Sequence, residues 1–398
     1  VKQFIFSADA HIREPNTLFS ERLPVGMRDR AIHAEHGEGL IQVRSGDNIF
    51  HSLRVRKPAE GQTHDLAQSK RKGASSLPGR LEDMELDGVD AEICFPELAL
   101  WTYKLDDPEL EFATTQIYND WNNEFFAQHL DHFVRCGVLP VRDFRNTIFE
   151  MKRLAEKGYT AAMLPVVTPE GVARYTDPAW DEIFNTAGEL GIVLVMHTGT
   201  GLDNVVVVRG PGGAVINYSR QMNDAVDTVM ALTAGGVLDR NPKAQIALIE
   251  SGASWLAAVA ERMDEVYEAH AVFVRPKLSV MPSEIIKRQV HASFQHDRAC
   301  IMSRSVTGVK PLLFATDYPH AEGTFTVTRD LVGKPVYDPN GNEQLNFTRD
   351  LVGRLFDGID ISAQDKADIL GGNAARLFRF TPPAEFSVAA PQAEAIAG

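Results

Sequence analysis

The stretch Leu312-Leu313-Phe314-Ala315-Thr316-Asp317-Tyr318-Pro319-His320 decides the fold. Apolar and small residues run into Thr316-Asp317, and Pro319 then removes a backbone donor and ends any strand. The pattern predicts a buried parallel strand that delivers Asp317 at its C-terminal end. In barrels of alternating strands and helices, that end is where chemistry sits. The bland alternative for one such Asp is a cap on the next turn or helix.

Working back from that strand, similar units recur. Residues 2–9 form a first strand closed by Asp9-Ala10-His11, with Glu14-Pro15 beyond. Residues 91–96 predict strand two, 133–141 strand three, 160–167 strand four, 191–197 strand five, 245–250 strand six and 290–294 strand seven. Helical spacing falls between them over 81–86, 107–130, 144–157, 217–235 and 254–268, and Asp177-Pro178 opens another helix with Pro in its first turn. Eight mostly apolar runs, lacking clean alternation, fit a parallel sheet buried on both faces. The expected fold is α/β, a (β/α)8 TIM barrel over 1–380, with an insertion after strand one and a tail over 381–398. A doubly wound open sheet is the alternative, but no GxGxxG follows the first strand. Residues 16–80 lack periodicity and are expected to form an irregular insertion over the strand ends.

Composition sets further bounds. The chain has 398 residues and a formal charge of -14, which argues against nucleic acid and anionic membranes as partners. No run of about 18 apolar residues suggests a membrane span, and the start of the sequence lacks a signal-peptide layout. Three cysteines far apart, Cys94, Cys136 and Cys300, argue for a reducing, cytoplasmic setting. The basic run from Arg54 to Lys72 reads as a solvated loop. Thr328-Arg329-Asp330-Leu331-Val332-Gly333 is repeated as Thr348-Arg349-Asp350-Leu351-Val352-Gly353, which reads as an exposed excursion.

The strand ends carry the candidate chemistry. Strand one brings Asp9 and His11, two apart and so on one face, with Glu14 beyond. Strand five brings His197, strand six Glu250, and strand eight Asp317 with His320 three residues on. Imidazoles with carboxylates suit zinc, manganese or iron. Each residue has a structural alternative: His11 and His197 as hydrogen-bonded core histidines, Glu250 as a cap for a helix near Ser254. Acid or imidazole at four of eight strand ends favours a divalent metal site, of one or two ions.

These residues resemble a known family. Ala8-Asp9-Ala10-His11-Ile12-Arg13-Glu14-Pro15, Met196-His197-Thr198-Gly199, Ile249-Glu250-Ser251-Gly252, Thr316-Asp317-Tyr318-Pro319-His320 and Gly372-Asn373-Ala374-Ala375-Arg376-Leu377-Phe378 are similar to the amidohydrolase-related, metal-dependent TIM-barrel enzymes. The branch is the one with aminocarboxymuconate semialdehyde decarboxylase-like proteins. The resemblance implies metal ligands on strands one, five and eight and a homodimer. Where the family carries a first His, this chain has Asp9, as in nonoxidative aromatic-acid decarboxylases. Where strand six of the family carries His, this chain has Glu250, which removes a base that several decarboxylases use. No Lys ends strand four, so the carboxylated-lysine bridge of two-metal relatives is absent, and Glu250 or Glu14 would help hold any second ion.

The leading expectation is metal-assisted hydrolysis of a small organic substrate, carboxylate-bearing or aromatic. Asp9, His11, Glu14, His197, Glu250 and Asp317 are the candidate ligands, with Asp317, His320 and Glu250 as acid or base. Trp101 and Tyr103 are expected to wall the pocket, and Arg13 or an insertion Arg to pair a substrate carboxylate. Three alternatives stand beside it: a decarboxylase of a hydroxybenzoate-like acid, a nonheme diiron monooxygenase, and a non-catalytic ligand-binding barrel.

Overall fold

The computed structural model describes residues 3–37, 39–54, 71–202, 205–327, 336–337, 339–341, 344–384 and 386. Eight parallel strands form one sheet in sequence order: β1 (Phe6–Ile12), β2 (Ala91–Pro96), β3 (Phe133–Val138), β4 (Ala161–Pro165), β5 (Val193–His197), β6 (Ile246–Ile249), β7 (Val290–Phe294) and β8 (Leu312–Phe314). Helices separate them, among them 77–87, 108–126, 144–156, 181–190, 213–234, 255–269 and 282–289. This is the (β/α)8 barrel. All residues of all eight strands are buried, which is why the sequence shows apolar runs instead of alternation.

The barrel closes between its first and last strands. Ala10 bridges Tyr318, the His11 N–H donates to the Tyr318 carbonyl at 2.6 Å, and the Asp317 N–H donates to the Asp9 carbonyl at 2.8 Å. Closure therefore falls on the residues expected to carry chemistry. It also moves two boundaries. Strand one starts later than expected and runs on to Ile12, because Ala10, His11 and Ile12 pair with β2, while Asp9 sits in the register shift between Ser7 and Ala10. Regular pairing of β8 stops at Phe314, beyond which the Ala315 N–H still donates to the Phe294 carbonyl at 2.9 Å and a bridge joins Tyr318 to Ala10.

Helix starts follow local chemistry. Asp107 accepts from the N–H groups of Glu109 and Leu110, with Pro108 in the first turn. Asp177 accepts from the Ala179 N–H and opens a single 3-10 turn, after which the helix runs over Asp181–Leu190.

The insertion is more regular than its sequence suggests. It holds a helix at Leu18–Arg22 and an antiparallel sheet of Ile32–Gly37, Leu40–Ser45 and Asn48–Arg54. These strands are half exposed and rich in charge, so no apolar periodicity marks them. Most of the basic run (55–70), the first copy of the Thr-Arg-Asp repeat and 387–398 lie outside the described residues. The second copy forms a helix at Thr348–Leu355, anchored where Asp87 accepts from the Thr348 N–H at 2.6 Å.

Candidate functional site

At the C-terminal mouth the structure brings together six of the residues singled out in the sequence. Asp9 and His11 project from β1, His197 ends β5, and Glu250 follows β6 directly. Asp317 and His320 lie just past β8. Glu250 and Asp317 adopt left-handed backbone, with φ of 60° and 53°, a conformation that costs a non-glycine residue on the order of 1 kcal/mol or more. Those bends turn both carboxylates toward the barrel axis.

The distances are short. His11 Nε2 and His197 Nε2 are 3.1 Å apart. Asp9 Oδ1 lies 3.6 Å from His11 Nε2 and 3.7 Å from His197 Nε2. Glu250 Oε2 is 3.4 Å from His197 Nε2, and Asp317 Oδ1 is 3.6 Å from His11 Nε2. His320 Nδ1 is 2.8 Å from Asp317 Oδ1, and its Nε2 is 3.3 Å from Glu97 Oε1.

The donor set fits a metal ion. The Nδ1 of His11 faces the Pro96 carbonyl at 3.2 Å, and that of His197 faces the Thr198 carbonyl at 2.9 Å. Each carbonyl calls for a proton on Nδ1, which leaves the two Nε2 lone pairs facing each other, the arrangement of metal-ligating histidines. Both oxygens of Asp9 and both of Asp317 are buried without a well-aligned hydrogen bond. Leaving such groups unpaired is costly, and a cation satisfies them together. Asp9–His11–His197 and Glu250–Asp317–His320 each place three ligand atoms within one coordination sphere.

The titration behaviour of the cup's side chains follows from the same crowding. Burial, with His320 and His197 alongside, holds His11 well below the ordinary imidazole value. Burial also opposes charge on His197, but Asp9 and Glu250 outweigh it and lift that imidazole to about 9. Burial raises Glu250 to about 7, and it raises Asp317 well above the carboxylate range, with Glu250 and Asp9 adding to the effect.

Other expected residues are placed differently. Glu14 is buried but faces away from this group. Its Oε2 accepts from the N–H groups of Glu97 and Leu98, both at 3.0 Å, and its Oε1 from Ala99 at 2.9 Å. A carboxylate so occupied is a clamp for the chain after β2, and Glu14 joins no ligand cluster. Tyr103 is buried in the core, donating to the Met163 carbonyl at 2.8 Å. Arg13 is exposed and does not line the cavity. Glu250 caps no helix, since the Ala253 and Ser254 N–H groups donate to Asp297. Glu97 was not singled out, although it directly follows β2 and so obeys the same strand-end rule.

Above the cup is a cavity of about 310 Å³. Trp101 lines it as expected, stacked on His51 from the insertion sheet with centroids 5.0 Å apart. Leu53, Leu100, Val205 and Tyr218 supply much of the remaining wall, and no Lys or Arg lines it among the described residues.

A buried network sits behind the cup. Arg80, 1% exposed, donates to the His11 carbonyl and lies 3.3 Å from Glu92. Its guanidinium stacks 4.2 Å over the Tyr318 ring, and the Tyr318 hydroxyl donates to Asp83. One cation thus ties the ends of β1 and β8 together.

The family model described as Amidohydrolase matches residues 8–380. No curated protein matches. Among solved structures, an amidohydrolase from Mycobacterium avium subsp. paratuberculosis K-10 is 17% identical, with a TM-score of 0.74, covering 95% of this chain and 100% of that one. The 5-carboxyvanillate decarboxylase LigW from Sphingomonas paucimobilis is 18% identical, with a TM-score of 0.66 and coverage of 95% and 100%. A 5-carboxyvanillate decarboxylase from Novosphingobium aromaticivorans, solved with bound manganese, is 16% identical, with a TM-score of 0.62 and coverage of 95% and 97%.

Proposed function

The chain belongs to the amidohydrolase family, and on that premise we propose that it is a metal-dependent hydrolase acting on a small, largely apolar substrate. The observation that carries this reading is the pair of Nε2 atoms 3.1 Å apart, ringed by buried carboxylate oxygens that no well-aligned hydrogen bond satisfies. Asp9, His11, His197 and Asp317 would hold a divalent ion, which supplies polarisation of a substrate carbonyl and acidification of a water. Glu250 and His320 border a position for a second ion.

The remaining steps belong to side chains. Asp317 takes a proton from the attacking water, and His320, 2.8 Å away, relays it to the leaving group. Glu97, 3.3 Å from the far ring nitrogen, steadies the imidazolium. Trp101, His51 and Leu53 hold the substrate's flat or apolar part and exclude water.

A second reading, nonoxidative decarboxylation of a hydroxybenzoate-like acid, is supported by the aromatic-walled cavity and by the decarboxylases of the same fold. The same side chains would then protonate a ring carbon.

The test is metal analysis of protein purified without added metal, followed by stripping and a panel of esters, amides and aromatic acids. Hydrolysis requires turnover that disappears on stripping and consumes water. Carbon dioxide release moves the reading to the lyase, and iron near two per chain with oxygen uptake moves it to an oxygenase. Turnover that survives complete stripping rejects the metal-dependent mechanism.

A further inference from the structure

The opposite mouth of the barrel holds a second cavity, of about 320 Å³, between the N-terminal ends of β5, β6 and β7 and the last helices of the chain. Lys243, Lys310, Arg376 and Arg379 all line it, and no carboxylate does among the described residues. Arg376 is paired with Asp368 at 2.7 Å. Lys243, Lys310 and Arg379 have no carboxylate within ion-pair distance among the described residues. In a chain of net charge -14, this surplus of positive charge in a concavity runs against the overall balance, and a one-sign cleft concentrates its field on an incoming counter-ion.

The concavity is built, not incidental. Among the described residues, Arg379 is the third non-glycine residue with left-handed backbone, at φ 54°, the other two being Glu250 and Asp317 in the cup. That bend lays its guanidinium against Gly191, where a Cβ would stand 1.8 Å from Nη2. Gly191 ends its helix at φ 67° and leaves the space the guanidinium uses. The floor is polar and filled: His291, 3% exposed, meets Gln245 Oε1 through Nε2 at 3.1 Å. A planar fork with two point charges over a polar floor matches an oxyanion bearing more than one negative charge.

We propose that this cavity binds a small multivalent oxyanion of the phosphate class. The site shares no residue with the cup at the other mouth, so it stands whether or not the metal reading does. Its volume admits inorganic phosphate, pyrophosphate or a small phosphate ester, and rejects nothing of that size that carries the charge.

The test is calorimetric titration of the full chain with phosphate and with pyrophosphate at low ionic strength, with acetate as the monovalent control. The expected result is one site per chain with a Kd below about 1 mM, weakening as salt is raised. Arg379→Gln with Lys310→Gln should weaken it at least about tenfold, and Lys243→Gln less, with unchanged circular dichroism. Asp317→Asn should leave the affinity alone. The proposal is overturned by the absence of saturable binding, by acetate binding as tightly as pyrophosphate, by an unchanged Kd in the double variant, or by binding that disappears in Asp317→Asn and so belongs to the cup.

Discussion

Glu14 and Asp317 are buried carboxylates at the same barrel mouth, and the fold treats them in opposite ways. Glu14, at the rim, receives three backbone N–H groups from residues 97–99. Asp317, in the cup, has no well-aligned hydrogen bond on either oxygen, and neither has Asp9. Glu111, in the helix over 108–126, is an intermediate case: its Oε2 accepts from the N–H groups of Val141 and Arg142, while its Oε1 has no partner. Burial at a strand end therefore does not by itself make a ligand. What distinguishes the cup is that the backbone withholds its donors there, leaving a deficit for a cation to fill.

The strongest way to break this contrast is to remove the deficit. Asp317→Asn should reduce turnover by about 10³-fold or more, as loss of a positioned acid–base group does. Dialysed protein should lose its bound metal. Added manganese should raise the Tm of the unsubstituted protein, through preferential binding to the native state, and leave that of the variant unmoved. A variant that keeps stoichiometric metal refutes the cup.

Arg80→Met comes next. It strands Glu92 in the interior without its cation, at a cost of about 3–5 kcal/mol in denaturant unfolding. It also frees the His11 carbonyl, so metal affinity should fall as well. Glu14→Gln should cost about 1–3 kcal/mol, because an amide cannot accept three N–H groups on two oxygens. Its metal content should match that of the unsubstituted protein, and a loss of metal would return Glu14 to the ligand set.

The smallest effect concerns pH. Burial lifts Glu111 to about 7, from an ordinary 4.5, so the folded state keeps a proton there that the unfolded chain releases. A carboxyl raised in this way contributes stability at low pH that is lost as pH rises from about 4.5 through about 7. Glu111→Gln has no such proton to lose. Relative to the unsubstituted protein it should gain about 1–2 kcal/mol between pH 5 and pH 7.5 in paired urea melts, and a flat difference would contradict the assignment.

The barrel was legible in the sequence because both faces of its strands are buried, which writes eight apolar runs that end in polar residues. The cup followed from those ends. Glu14 could not be sorted from Asp317 by the same signal, since its donors come from residues 97–99, more than eighty positions away. Glu97 was visible in principle, one position after Pro96, but no periodicity sets it apart from other acids. Tyr103 looked like a pocket residue beside Trp101, yet the 3-10 turn they share points it inward. The insertion sheet was missed because its half-exposed strands carry charge on both sides of the turns at Gly37 and Gly46.

The bridge between Ala10 and Tyr318 has a consequence for biosynthesis. Asp9 and His11 precede Asp317 by more than three hundred residues, so a growing polypeptide exposes them long before their partners in the cup emerge. On the proposed metal reading, cation loading then waits until Asp317 has emerged. A ribosome-bound chain stalled before residue 312 should retain no manganese, however well its earlier strands have assembled.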